Sequence, residues 1–428
     1  MIRVVRAAAQ DITLEGLFRS LKYRDYRLLW VGQACHAGAL WIEMVARPWL
    51  VLEITDGDAA MVGVMVAIRA LPSLFFGLIG GVLSDRFNRK YVLLSAKGSA
   101  FTISILFVAV LMAGWMELWI IFLFAFLRGS VMAFDQPARQ SLVSQVVPME
   151  IITNSVALMS STQSVMRIVG VLASGLVIEL LGFTYAFALV AVIYSGAVVS
   201  TSLLRVHGLQ HHRILQPMSL TTVWNELVEG VKFGFSTPAI RGIIVMSLVF
   251  YAFAMSYMQV FIPLIAWQEI GLGARGVSYL AASTGIGALF ATFAIAATYP
   301  KRLGLILILA LIGMGIALVA YSASALLPGW AGIVVPVLLI GIVGVGQTGY
   351  FSLSNATLLT AAPPEIRGRM VSLTSLDRSM AAVGGALGGV LAGLVGAIAA
   401  QSIYGAIVIL AGIGFFVLGD GIRNYRTP

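Results

Sequence analysis

Eight charged residues of this 428-residue, 11% charged chain fall inside long apolar runs: Glu43, Arg47, Arg69, Lys97, Arg128, Arg167, Asp377 and Arg378, with Asp135 and Glu179 near run ends. A charge at the centre of a membrane helix costs at least about 2.5 kcal/mol, so residues kept there serve pairing or chemistry. Glu43 and Arg47 are four apart, the spacing of a side-chain pair on one helix face. At about 1.5 Å per residue, Glu43 and Arg69 lie about 12 to 14 Å from one face, Arg128 about 15 Å and Arg47 about 8 Å, level enough to meet. Two readings follow: a structural ion pair, because a buried carboxylate needs a partner, or a site in which protonation of Glu43 releases an Arg. Asp377 and Arg378 lie about 10 Å in from the other face and point about 100° apart, so they are not expected to pair. Asp377 is then a second candidate for protonation. Lys97 is expected to snorkel to the nearer face. Setting Lys97 aside, the runs hold five Arg against Glu43 and Asp377. That excess favours an anionic substrate, unless the arginines face lipid headgroups or backbone carbonyls.

Residues of this kind need elements that can carry them through lipid. The chain is 60% hydrophobic with mean hydropathy +0.97, against roughly 45–50% apolar residues in soluble domains. About 20 apolar residues cross about 30 Å of hydrocarbon. Twelve such runs are present: 28–52, 61–83, 91–112, 118–138, 155–181 and 183–203, then 242–265, 276–297, 303–325, 331–353, 370–395 and 398–418. Helices are expected throughout, since open strands leave backbone groups unpaired in lipid. The fold class is therefore all-α and membrane-spanning.

Basic residues set the orientation. With the N-terminus inside, Arg275 is the only one of 27 Lys and Arg in an outside loop, which places both termini in the cytoplasm. The net charge of +9 is spread over short loops and tails without a continuous stripe, which points to anionic lipid and away from nucleic acid. The basic, polar start lacks a signal-peptide pattern, so the first span is expected to stay. Cys35 is the single cysteine, which excludes an intrachain disulfide.

The chain repeats itself at an offset of 215 residues. Pro148–Ser174 aligns with Pro363–Gly389, matching Glu150 to Glu365, Ile151 to Ile366, Leu158 to Leu373, Ser164 to Ser379 and Gly170 to Gly385. Duplicated halves related by an axis along the membrane normal would place a cavity between them near the midplane. The expected units are residues 1–204, a six-helix bundle, 205–241, a cytoplasmic linker, and 242–428, a second six-helix bundle. Within the linker, Val223, Leu227, Val231 and Phe235 recur every four residues, as in a helix lying at the interface. Gly77-xxx-Gly81, Gly170-xxx-Ser174, Ser283-xxx-Gly287, Gly384-xxx-Gly388 and Gly385-xxx-Gly389 allow close helix approach, either as ordinary packing or as the seam between the halves.

The stretch GVLSDRFNRK at 81–90 sits between spans two and three. Arg86, Arg89 and Lys90 are expected to fix topology and meet lipid phosphate, and Asn88 suits a turn because it tolerates left-handed backbone. Asp85 has no topological use there and fits a polar latch. This stretch resembles the loop signature of the major facilitator superfamily, with Asn88 in place of its second Gly. LKYRDYRLLWVGQ (21–33), RPWLVLEIT (47–55), AFDQPARQSLVSQVVP (133–148) and ELVEGVKFGFSTPAIRG (226–242) resemble a bacterial branch of drug and siderophore exporters. In exporters of that superfamily span five often carries Gly-Pro followed by small residues, whereas Gly170 is followed by Val171. The resemblance implies two pseudo-symmetric six-helix bundles in the bacterial inner membrane and alternating access. It also implies proton-driven antiport of an amphipathic small molecule, with Asp85 docking on the start of span eleven and Gly81, Arg86, Arg89 and Lys90 completing the latch. Arg128 matches the span-four Arg near the coupling site of proton-coupled exporters.

Export of an organic anion or lipid is the alternative. A membrane enzyme is a weaker one, because no nucleophile–base spacing stands out. His207, His211 and His212 have metal-ligand spacing but sit in the polar linker without Cys or carboxylate, so no metal is expected. No phosphate-binding Gly-Lys-Ser/Thr loop occurs. No cofactor is expected, and a monomer is.

Overall fold

The computed structural model describes residues 18–205, 232, 235–236, 238–271, 273–298, 302–361 and 375–425. The linker helix and His207, His211 and His212 lie outside these, as do the side chains at 77–86 and 358–379, including Asp85, Arg86, Asp377 and Arg378.

Six long helices form the first lobe: α1 Arg24–Ile54, α2 Ala59–Arg86, α3 Arg89–Met112, α4 Leu118–Val146, α5 Ile152–Leu181 and α6 Phe183–Ser202. The second lobe has α7, which starts as Pro238–Val249, then α8 Gly273–Thr298, α9 Leu303–Ser324, α10 Ala331–Ala361, α11 Ser375–Val395 and α12 Ala397–Leu418. Nine helices among the described residues are long and apolar enough to cross a membrane, while α1 and the described parts of α2 and α11 fall short by composition or length. α1 falls short because it carries the charge, including Glu43 and Arg47.

The duplication is written in the backbone. Glycines at positive φ terminate matching helices in both lobes: Gly57 and Gly271, Gly114 and Gly329, Gly182 and Gly396, separated by 214, 215 and 214 residues. An L side chain rarely adopts that conformation, so each turn depends on glycine. All six lie at one end of the molecule, called here the Gly57 end. At the opposite end Asn88 has φ −61 and ψ 114 and accepts a hydrogen bond from the Lys90 amide at 3.0 Å. It therefore caps α3 from an extended backbone, not from the left-handed one expected.

Span seven is not the continuous helix that its apolar run predicts. After Val249 it passes through a π-helical turn, Phe250–Ala254, a tight turn, Met255–Tyr257, a short helix, Phe261–Ile265, and a second π-helical turn, Ala266–Ile270. Pro263 contributes at the middle of this stretch: it has no N–H to give the carbonyl of Gln259, and its ring crowds that carbonyl.

Within the lobes, α1 packs on α5 and α6, and α2 on α4; in the second lobe α8 packs on α10, and α9 on α12. Between the lobes, α2 meets α11 and α5 meets α8. Only some of the small-residue motifs face this seam. A methyl on Gly63 would meet the Ala386 carbonyl at 2.9 Å, and one on Gly389 would meet Gly63 Cα at 2.6 Å. Gly175 presses on Ser278, and Gly285 on Ile168. Gly170 instead packs on Gly38, Ser174 Oγ donates to the Ile42 carbonyl at 3.1 Å, Gly287 packs on Gly341 and Gly384 on Ala252. Those pairs knit each lobe together, and the seam uses Gly385 and Gly389 with Gly63, Gly175 and Gly285.

Polar and aromatic contacts across the seam cluster at the Gly57 end. Gln268 Nε2 donates to the Gly57 carbonyl at 3.3 Å, Arg275 pairs with Glu179 at 2.8 Å, and the Trp49 and Trp267 rings meet edge to face at 4.9 Å. Overpacking this contact costs about 1–3 kcal/mol, and about 1.4 kcal/mol shifts a balanced two-state equilibrium tenfold. Gly389→Leu should therefore lengthen spin-label distances between Asp58 and Leu394, whereas Gly98→Leu, at a site with open space, should leave them unchanged.

Candidate functional site

The centre of the first lobe is an ion triad with one anion. Arg47 Nη2 donates to Glu43 Oε1 at 3.2 Å, one helix turn away on α1. From α4, Arg128 Nε donates to both carboxylate oxygens of Glu43, at 3.2 and 2.9 Å. Its Nη2 donates to the Tyr194 hydroxyl of α6, and its guanidinium carbon lies 4.6 Å from that ring. The Arg47 guanidinium carbon lies 5.3 Å from the Phe107 ring centroid and 5.7 Å from that of Phe187. Glu43, Arg47 and Arg128 are 6%, 3% and 2% exposed, so the triad is sealed from solvent in this state. Its balance is one net positive charge, and Nη1 of both arginines is buried without a hydrogen-bond partner. Protonating Glu43 would leave two guanidinium groups unopposed in a low-dielectric core.

The other expected residues are placed elsewhere. Arg69 of α2 is half-buried and points to the second lobe, with Nη1 3.1 Å from Gln259 Oε1 and 2.8 Å from Met44 Sδ. Arg167 of α5 lies with its guanidinium carbon 4.7 Å from the Trp41 ring centroid, beside the α5–α8 seam. The depth argument brought Arg47 and Arg128 to Glu43, but Arg69 makes its hydrogen bonds outside the triad.

A second buried cluster was missed. Lys97 does not snorkel: it is 1% exposed, and its Nζ lies 2.5 Å from Asp135 Oδ1. Asp135 Oδ2 is approached by Arg139 Nε at 3.3 Å and by His36 Nε2 at 3.7 Å. His36 meets the Tyr194 ring edge-on at 5.9 Å, so Tyr194 touches both clusters. The amide of Gln33, one turn from His36, is buried without a partner at either atom. Depth held the missing signal. Lys97 and Asp135 are comparably far from the Asn88 ends of α3 and α4, and a burial-prone Asp beside Lys reads as a pair once the helices are known neighbours.

The basic loop residues also differ from expectation. Lys90 Nζ donates to the Leu204 carbonyl at 2.7 Å and Arg89 Nη1 to the Ser141 carbonyl at 3.4 Å. Lys90 thus caps the end of α6 and Arg89 reaches the last two turns of α4, where cations are favoured by the helix dipole.

Two helical bundles meeting along α2–α11 and α5–α8, with buried charge in the first, define a transporter of the major facilitator superfamily. The chain belongs to the transmembrane secretion effector family, whose model matches residues 16–419. It is 26% identical over 381 residues to macrolide efflux protein A of Streptococcus pyogenes, covering 84% of this chain and 88% of that one. It is 24% identical over 371 residues to the enterobactin exporter EntS of Shigella flexneri, covering 83% of each. The multidrug efflux pump Tap of Mycolicibacterium fortuitum is 27% identical over 362 residues, covering 82% of this chain and 84% of that one. Among solved structures, a peptide transporter POT in complex with sulfate superposes with a TM-score of 0.76 at 14% identity, covering 95% of this chain and 96% of that one, which shows a shared fold.

Removing one member of a buried ion pair costs about 3–5 kcal/mol, whereas replacing both partners is often neutral. Lys97→Met should accordingly lower stability in denaturant titration of the detergent-solubilised protein, and Lys97→Met with Asp135→Asn should recover most of the loss. Equal destabilisation by the single and double variants would mean that the pair is not the source.

Proposed function

We propose that this protein is a proton-coupled exporter of amphipathic small molecules, of drug or siderophore type, in the bacterial inner membrane. The observation that carries the reading is the Glu43 triad, one buried carboxylate holding two guanidinium groups on separate helices. The relatives named as efflux proteins support the direction and the substrate type. The basic bias of the Asn88 end supports placing that end, and both termini, in the cytoplasm. On this reading residues 1–204 and 242–428 are the moving lobes and 205–241 joins them. One chain is the working unit, in contact with anionic lipid. Seam contacts at the Gly57 end close the outer side, and a proton entering from outside reaches Glu43 when that side opens. Protonation frees Arg47 and Arg128, lowers the cost of moving α1, and returns the carrier.

The test is drug accumulation in everted vesicles, with and without a protonophore. Glu43→Gln should abolish uphill transport while retaining substrate binding, and unchanged proton-driven transport in that variant would remove Glu43 from coupling. Asp377 is the second position to test in the same way.

The Asp85 latch is also a proposal. Free N–H groups and the dipole at a helix start attract a carboxylate by about 0.3 to 1 kcal/mol when exposed and up to about 2 when partly buried. Arg367 and Arg369 add positive charge near the start of span eleven. Asp85→Asn should favour the inward-open state and slow turnover without unfolding. Identical distance distributions across the Asn88 ends of α2 and α11 in wild type and variant would count against the latch.

A further inference from the structure

Arg47 and Arg128 share Glu43, but two further guanidinium groups at the junction of the lobes have no such anion. Among the described residues, no Asp or Glu forms an ion pair with Arg69 or Arg167. Arg69 spends its donors on a thioether and an amide oxygen. Arg167 lies on the Trp41 ring, and its Nε is buried without a hydrogen-bond partner. A cation–π contact supplies about 0.5–2 kcal/mol, less than the cost of leaving a guanidinium fork unmatched in a dry site.

Unmatched polar atoms gather around it. Trp41 Nε1 is a buried donor and Gln163 Oε1 a buried acceptor, both without partners. Gln163 and Arg167 are four apart, on one face of α5. Across the seam, Gly285 lets α8 approach closely: a methyl there would stand 2.5 Å from Ile168 Cγ1 and 3.6 Å from Arg167 Cδ. The second lobe also contributes Tyr257, which is within electrostatic reach of Arg167 and donates to Gln347 Oε1 at 2.8 Å. Arg167 stands midway along the 30 residues of α5, about 20 Å from either end and beyond the reach of a lipid headgroup.

We infer that Arg167, with Trp41 and Gln163, is the anion-recognising subsite for the transported molecule, and that its substrates are aromatic organic anions bearing a carboxylate or an equally planar acidic group. The guanidinium fork matches such a group with two parallel hydrogen bonds, which a Lys would not. The indole N–H and the Gln163 carbonyl oxygen take a further acceptor and donor, and the apolar body lies between Trp41 and Tyr257. Arg69 with Gln259 offers a second polar contact on the α2 side. This inference rests on the reading of the protein as a small-molecule transporter, but not on proton coupling or on the direction of transport.

The test uses the purified full chain in phosphatidylcholine nanodiscs without any gradient. Naphthoate, naphthalenemethanol and naphthylmethylammonium share one ring system and differ in charge, and their binding is followed by equilibrium dialysis and tryptophan fluorescence. Wild type should bind naphthoate at least about tenfold more tightly than either of the others, as expected for a charge-assisted fork. Arg167→Gln should erase that preference while leaving the alcohol within about twofold, and Arg167→Lys should fall between. Equal or tighter binding of the cation or the alcohol by wild type would overturn the subsite, as would a preference that survives Arg167→Gln. Displacement of naphthoate by added phosphatidylglycerol would assign Arg167 to a lipid phosphate and overturn it as well. Should Arg167→Gln fail to fold, the wild-type ranking alone decides. Naphthoate binding without efflux from vesicles would sink the exporter reading and leave the subsite standing; efflux of the cation, unaffected by Arg167→Gln, would do the reverse.

Discussion

Glu43 is the constraint around which the first lobe is arranged. A carboxylate in a bundle core holds its charge only with partners at hydrogen-bond distance, and here α1 supplies one from its own next turn and α4 supplies the other. Those contacts require α1 to lie inside the bundle, with α5 and α6 packed along it and Phe107 and Phe187 closing over Arg47. The charged face of such a helix could not be turned to lipid. Its enclosure is what the other five helices of the lobe provide.

The two lobes repeat in backbone but not in chemistry. Positive-φ glycines recur at matching turns, so the hairpin geometry was duplicated intact. The charges buried most deeply among the described residues, Glu43, Arg47, Lys97, Arg128 and Asp135, all belong to the first lobe. The second lobe carries neutral polar groups and a broken α7 whose π-helical turns leave backbone groups able to change partners. Among the described residues, one lobe thus holds the buried charge, and the other presents an irregular helix to the junction. Gln259 on that helix, in contact with Arg69, is where the two designs touch.

Glycine contacts let the lobes approach backbone to backbone along α2–α11 and α5–α8. Where side chains enter these surfaces, Ile168 on Gly285, Ser278 on Gly175 and Val66 on Gly385, they sit on glycine and not on another side chain. Specific polar contacts at the Gly57 end, where Gln268 reaches Gly57 and Arg275 reaches Glu179, give that closed arrangement its register.

The sequence alone determined the solvent and hence the fold class, because apolar runs of bilayer length admit only helices. It also determined the duplication, the transporter family through the 81–90 loop, and the Glu43–Arg47 pair, whose partners are one helical turn apart. Arg128 was legible from depth. Tertiary structure decided what depends on which helices are neighbours. Lys97 reads as a snorkelling lysine until α3 is set beside α4, where Asp135 makes burial cheaper than exposure. The small-residue motifs likewise show which positions allow close approach but not which face turns to which helix, and rotation by one residue moves a contact from seam to lobe interior. The apolar run of span seven reads as one helix, and only the structure shows its two π-helical turns at Phe250–Ala254 and Ala266–Ile270.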